Sequence, residues 1–351
     1  QRQMCIRDRL SYWSGRQRFE YRYRILVCVT ILQALMNPIA SLVLIRINGG
    51  TAMMRILGIV GVQICICVPI IVFQFCKGKE FFSKEYWGYA LRIGIPIVPH
   101  YLSGIILNQG DRIMIDKMVG KTEVALYGLA YSIGMLVQLF ISGMNSALTP
   151  WMYSKIKKGD IRSMRKVLQL LSIVVVGIAV ALMLISPELV LIFGSPKYRE
   201  AVYVIPPVAA SVFFIFIYNI LSMPQFYYEK TQFLMAASMA AAGANVVLNF
   251  IFIRLFGYIA AGYTTLACYM LYSVGHYIVS KQILVNEGIQ ENLMNPGFLL
   301  ACSVFLIGAS IICNLIFPYR ILRYAILLAS AGLVFWKKEL LLKTMADIRK
   351  K

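Results

Sequence analysis

The sequence predicts an all-α protein, a polytopic bundle of about ten transmembrane helices. Three observations carry that prediction. The 351 residues are 60% hydrophobic and 14% charged, with a mean hydropathy of +0.72. A soluble domain carries roughly 25% charged residues. Apolar runs of bilayer length recur from Ile25 onward, separated by short polar gaps. Finally, the 35 Lys and Arg sit in those gaps, giving a net charge of +20. A nucleic-acid binder would gather such charge on one solvated face, so nucleic acid is not an expected partner.

The apolar segments cover residues 25–47, 56–76, 89–110, 124–147, 167–187, 201–223, 231–253, 258–280, 297–317 and 320–336. At about 1.5 Å per residue most of them cross a ~30 Å hydrocarbon core. The last is the shortest, and Arg320 and Arg323 at its start are expected to snorkel toward the interface. Between the seventh and eighth, Gly257 supplies the tight turn. Residues 1–24 form a basic segment before the first span, with no apolar core or cleavage site of a signal peptide. With the N-terminus inside, 25 of the 35 cations fall on the inner side. Both termini are therefore expected in the cytoplasm of a multi-pass plasma-membrane protein. The loop YSKIKKGDIRSMRK and the tail 337–351 are expected against anionic membrane lipids.

Eight cysteines lie without a CxxC pair, and only two histidines occur, His100 and His276. Neither a metal nor any other cofactor is expected.

Helices surrounded by lipid gain nothing from polar residues, so a polar stripe marks a face turned to protein or water. In the fourth segment Tyr127, Tyr131, Gly134, Gln138, Ser142, Asn145 and Thr149 recur at spacings of three and four. His100, Gly104, Asn108 and Asp111 do the same in the third, with Arg112 beside them. Gln33, Asn37 and Ser41 form a stripe in the first, and Thr231, Ser238, Ala242, Asn245 and Asn249 one in the seventh. Tyr258, Thr265, Tyr269, Tyr272 and His276 complete the set in the eighth. Any one stripe is what interhelical hydrogen bonds would produce. Five in one chain favour a shared internal cavity. Pro38, Pro69, Pro96, Pro99, Pro206 and Pro207 are read as breaks inside spans. The candidate groups are mainly neutral hydrogen-bonding side chains, suited to a hydroxyl-rich ligand. Asp111 is the one carboxylate expected at a cavity edge, with Arg112 a possible neutralising neighbour, and unpaired Arg92 or Arg112 would attract phosphate.

From about Phe19 onward the chain resembles the polysaccharide-biosynthesis branch of the multidrug/oligosaccharidyl-lipid/polysaccharide exporter superfamily. The resemblance rests on RFEYRYR, PIVPHYLSGIILNQGDRIMIDKMVG, YGLAYSIGMLVQLFISGMNSALTPWMYSKIKKGD, YVIPPVAASVFFIF, FYYEKT and LFGYIAAGYTTL, in that order. The leading QRQMCIRDR has no counterpart in it. The resemblance implies a MATE-like fold of two six-helix lobes, often followed by two extra helices, working by alternating access. On that pattern residues 25–76 are the last two helices of the first lobe, 89–280 the complete second lobe, and 297–336 the extra pair. The first four helices are then missing from this chain. Gly110, Asp111 and Arg112 would end a cavity-lining helix at the outer surface.

The implied function is a flippase for undecaprenyl-pyrophosphate-linked oligosaccharide, moved from the inner to the outer leaflet without covalent chemistry. The implied cavity is made of Arg92, His100, Asn108, Asp111, Arg112, Tyr131, Gln138, Asn145, Asn245, Asn249 and Tyr269. Of these Asn108, Tyr131, Gln138 and Asn145 would bind sugar hydroxyls, and Arg92 or Arg112 the pyrophosphate. H⁺ or Na⁺ is the candidate coupling ion. A cation-coupled multidrug antiporter of the same superfamily is the alternative, although it needs a membrane carboxylate that the sequence does not place clearly within a span. A membrane glycosyltransferase or polymerase is supported least, because the outer loops are too short to hold a catalytic site.

Overall fold

The computed structural model describes residues 2–47, 52–78 and 83–336. Among them are twelve α-helices, one 3₁₀ segment and no strand. The helices are α1 (Arg2–Phe19), α2 (Tyr23–Ile47), α3 (Ala52–Gly78), α4 (Lys84–Met118), α5 (Lys121–Gly134), α6 (Leu136–Lys157), α7 (Ile161–Phe193), α8 (Ile205–Tyr227), α9 (Thr231–Phe256), α10 (Ala260–Asn286), α11 (Pro296–Ile316) and α12 (Arg320–Trp336). All ten apolar segments of the sequence are helical. Seven helical spans are long and apolar enough to cross a membrane, or eight if α5 and α6 count as one bent span. Of the remaining two segments, α10 is rich in Tyr, Thr and Ser, and α12 has only 17 residues. The N-terminal basic segment, expected only as a polar lead, is itself the helix α1. The basic tail 337–351 lies outside the described residues, as does part of the basic loop before α4.

The chain divides into two compact units, Gln1–Ala90 and Leu91–Lys351. In the first, α2 and α3 approach closely at Ser41 and Gly58. A Cβ on Gly58 would lie 2.6 Å from the Ser41 Cα, so only glycine fits. The Ser41 hydroxyl donates to the carbonyls of Asn37 and, across the pair, Arg55. The polar stripe of α2 thus acts at Ser41 as an interhelical bond.

The second unit is built around α8. Eighteen of its residues are buried, including Phe213 and Phe216 with no exposed surface. An apolar stripe is absent from α8 because every face is covered. Pro206 and Pro207 stand in its first turn, where a missing N–H costs nothing. They start the helix and do not break a span as the sequence reading had it. Within helices, Pro150, Pro187 and Pro224 are the additional interruptions.

The long fourth segment is broken between α5 and α6, which meet at Met135 with a bend of 40°. Gly134 explains the site of the break. A Cβ there would lie 2.6 Å from Val208 Cγ1 and 2.9 Å from Val208 Cβ, so α5 is pressed onto α8 at its last residue. We expect Gly134→Val to destabilise the second unit by about 1–3 kcal/mol through overpacking. A thermal melt in detergent checks this, with Gly128→Val as the reference, since nothing lies within 4 Å of a Cβ at Gly128.

Gly257, at φ 73°, makes the turn between α9 and α10 that the sequence predicts. At the start of α7, Asp160 accepts from the Ser163 N–H and pairs with Lys155 at 2.6 Å. The segment before α11 is fixed by Asn295, which caps the helix, and by Arg165, which donates to the Asn292 carbonyl at 2.7 Å.

Candidate functional site

The polar stripes of α4, α5, α9 and α10 meet inside the second unit. At their centre is Asp111, with no exposed surface. Its Oδ2 accepts from the Tyr127 hydroxyl at 2.6 Å and the Thr265 hydroxyl at 2.7 Å. Its Oδ1 accepts from the Asn249 amide at 2.6 Å. Asn249 also donates to Asn245 Oδ1 at 3.1 Å and accepts from Thr264. Four helices therefore converge on one carboxylate through neutral donors.

This arrangement corrects two expectations. α4 continues to Met118, so Asp111 is an interior helical residue and not the end of a span at the surface. Gly-Asp-Arg reads as a turn from composition alone, but the burial of Asp111 overrides that reading. Nor does Asp111 pair with Arg112. Successive residues on a helix point about 100° apart, and the Arg112 guanidinium lies 5.1 Å over the Tyr131 ring. Among the described residues no ion pair to Asp111 occurs. Arg112 reaches Gln109 Oε1 at 3.5 Å, and its Nε is buried without a partner. The membrane carboxylate that the sequence did not place clearly within a span is Asp111.

One helical turn before Asp111, Asn108 is held in the same manner. Its Oδ1 accepts from Tyr131 at 2.8 Å and Tyr269 at 3.2 Å, while its amide donates to the Gly104 carbonyl. A further turn back, His100 Nδ1 and the Tyr272 hydroxyl are 3.0 Å apart. Between these anchors α4, α8 and α10 enclose a cavity of about 480 Å³. Its wall includes His100, Asn108, Gln109, Tyr218, Asn219 and Tyr272.

Eight of the eleven sequence candidates thus fall in one region. Asn108, Asp111, Tyr131, Asn245, Asn249 and Tyr269 form the bonded core, with His100 on the cavity wall and Arg112 at its edge. Three do not join it. Gln138 and Asn145 lie beyond the break at Met135, half-buried on α6, with Gln138 Oε1 and Asn145 Oδ1 unpartnered. Arg92 is exposed two turns before His100. The sequence candidates omitted Tyr127, Thr265 and Tyr272, although each lay in a stripe. They also omitted Tyr218 and Asn219, whose helix shows no polar period.

Two family profiles match the chain. One, described as polysaccharide biosynthesis protein, matches residues 17–157, and the other, MatE, matches residues 96–251. The overlapping matches run through α4, α5 and α6. The chain belongs to the multidrug/oligosaccharidyl-lipid/polysaccharide exporter superfamily. Among curated proteins, it is similar to an Lsg locus protein of Haemophilus influenzae, 28% identical over 172 residues, covering 46% of this chain and 41% of that relative. An uncharacterized membrane protein of the same organism is 29% identical over 167 residues, covering 44% of this chain and 40% of its own length. The matches thus span well under half of each relative. Among solved structures, the crystal structure of a MATE mutant aligns with a TM-score of 0.59 at 14% identity, covering 76% of this chain and 63% of that one. At that identity the likeness concerns the exporter fold alone.

Proposed function

We propose that this exporter-superfamily chain is part of a translocase that carries an undecaprenyl-pyrophosphate-linked oligosaccharide from the inner to the outer leaflet by alternating access. The observation that carries the reading is the 480 Å³ cavity, walled by neutral hydrogen-bonding and aromatic side chains inside otherwise apolar helices. The polysaccharide-biosynthesis match supports the same substrate class. The division of the chain at Ala90/Leu91 supports reading residues from Leu91 to the end of α10 as one lobe, and α11 with α12 as the extra pair.

Each part of the substrate has a counterpart. Sugar hydroxyls meet Asn108, His100, Asn219 and Gln109 in the cavity. The pyrophosphate is drawn by Arg112 at the cavity edge and by exposed Arg92. The prenyl tail stays in lipid, with the apolar groove between α8, α10 and α11, lined by Phe214, Met270 and Leu300, as its resting place. Asp111 supplies the coupling site. One carboxylate, two amide oxygens and two hydroxyls form an all-oxygen set of single negative charge, which fits a proton or a monovalent alkali cation. The cation bias places both termini in the cytoplasm.

Deleting the complete gene should abolish the surface glycan and accumulate its lipid-linked precursor. Normal glycan in that strain contradicts the proposal. A second reading, a cation-coupled multidrug antiporter, is favoured by the MatE match and by Asp111 itself. Overexpression would then raise drug resistance, and unchanged sensitivity counts against it.

A further inference from the structure

We propose that the cavity between α4, α8 and α10 is a subsite for an uncharged pyranose ring, and that it discriminates against acidic sugars. This deepens the translocase reading and rests on it only for the source of the sugar.

Three features carry the inference. The first is an aromatic platform. Half-buried Tyr218 lies nearly parallel to Tyr269, at 9° with centroids 6.3 Å apart, and packs on Tyr272 at 4.5 Å. A rigid ring backed by two others offers a flat apolar face, which the C–H face of a pyranose can cover. The second is polarity without charge. Asn108, Gln109, Asn219, Ser222 and His100 line the cavity, and no Lys, Arg, Asp or Glu does. A carboxylate entering there would lose water and gain no counter-charge. The nearest guanidinium, Arg112, is stacked on Tyr131 and reaches the cavity only through Gln109. The nearest carboxylate, Asp111, is turned away into its own three donors. The third is open backbone at Gly104. Nothing lies within 4 Å of a Cβ built there, so a ligand can reach α4 between His100 and Asn108. At about 480 Å³ the cavity admits one or two sugar rings.

Gly104 also provides the test, because a side chain there enters open space without displacing protein. The full chain in nanodiscs is examined by saturation-transfer NMR with methyl N-acetylglucosaminide, methyl rhamnoside and methyl glucuronide as probes. The neutral glycosides should receive transfer, and the glucuronide at least about tenfold less. Gly104→Ala should leave the neutral signal within about twofold, while Gly104→Phe should cut it about tenfold. Tyr218→Phe should retain it and Tyr218→Leu lose it, which tests the platform independently of Gly104. Equal transfer to the glucuronide, no transfer to either neutral probe, or an unchanged signal in both Gly104→Phe and Tyr218→Leu overturns the proposal. Farnesyl-pyrophosphate-linked N-acetylglucosamine separates the sources. If it displaces the neutral probe, the subsite serves a lipid-linked sugar. If it does not, the subsite stands for free sugar and the translocase reading fails.

Discussion

Replacing Asp111 by Ala should unfold or severely destabilise the second unit. The substitution leaves Tyr127, Thr265 and Asn249 with buried donors and no acceptor, since all three converge on the lost carboxylate. Each stranded donor costs about 1–3 kcal/mol, so the sum is comparable to the stability of a domain. Asp111→Asn separates structure from coupling. Its amide oxygen can still accept from Tyr127 and Thr265, but its NH₂ then faces the Asn249 amide. We expect a loss of about 1–2 kcal/mol and a folded protein in which translocation no longer responds to an H⁺ or Na⁺ gradient. Thermal melts in detergent rank the variants: wild type, then Asn, then Ala. An Ala variant as stable as the wild type would contradict the hydrogen-bond account.

The second large effect concerns the docking of α12. Arg323, expected to snorkel, is instead 2% exposed and pairs through both terminal nitrogens with Glu188, each at 2.8 Å. It also donates to the Leu184 carbonyl at 2.7 Å, and Tyr324 donates to Glu188 at 2.9 Å. Pro187 helps to create this site. It cannot donate to the Met183 carbonyl, which accepts instead from the Ser186 hydroxyl at 2.8 Å. The rest of α12 is weakly held, with Ile321 and Leu328 largely exposed. Arg323→Leu should therefore cost about 3 kcal/mol by leaving Glu188 without its cation. Glu188→Leu should cost a similar amount, whereas the double variant Glu188→Leu/Arg323→Leu should recover most of the loss. Hydrogen exchange across α12 reads the effect directly. Equal losses in the double and single variants would mean that the pair does not hold the helix.

The contrast between these two sites shows what the sequence made legible. On α9 and α10 the polar residues recur at three and four, and Ser238, Asn245, Asn249, Thr265, Tyr269 and His276 are all buried as the period requires. Periodicity failed where no face was special. α8 is covered on every side, so Tyr218 and Asn219 had no pattern to stand out from. It also failed where charge was judged from position along a segment. Arg323 near the start of a span reads as an interfacial anchor, and Glu188 lies 135 residues away in sequence. Asp111 was misplaced for a related reason, since Gly-Asp-Arg is turn-like and only the convergence of three other helices keeps it helical and dry. The break at Met135 left one mark in the sequence, Gly134, whose meaning depends on Val208 in another helix.

The account's central claim is that the polar cavity carries a lipid-linked sugar across the bilayer. The most direct measurement is the sidedness of the lipid-linked oligosaccharide, read with a membrane-impermeant lectin on spheroplasts of a strain lacking the complete gene. The account predicts that the precursor accumulates and stays inaccessible from outside. It further predicts that complementation with the wild-type gene restores labelling and that complementation with Gly104→Phe does not. Precursor fully exposed at the outer leaflet in the deletion strain would contradict it.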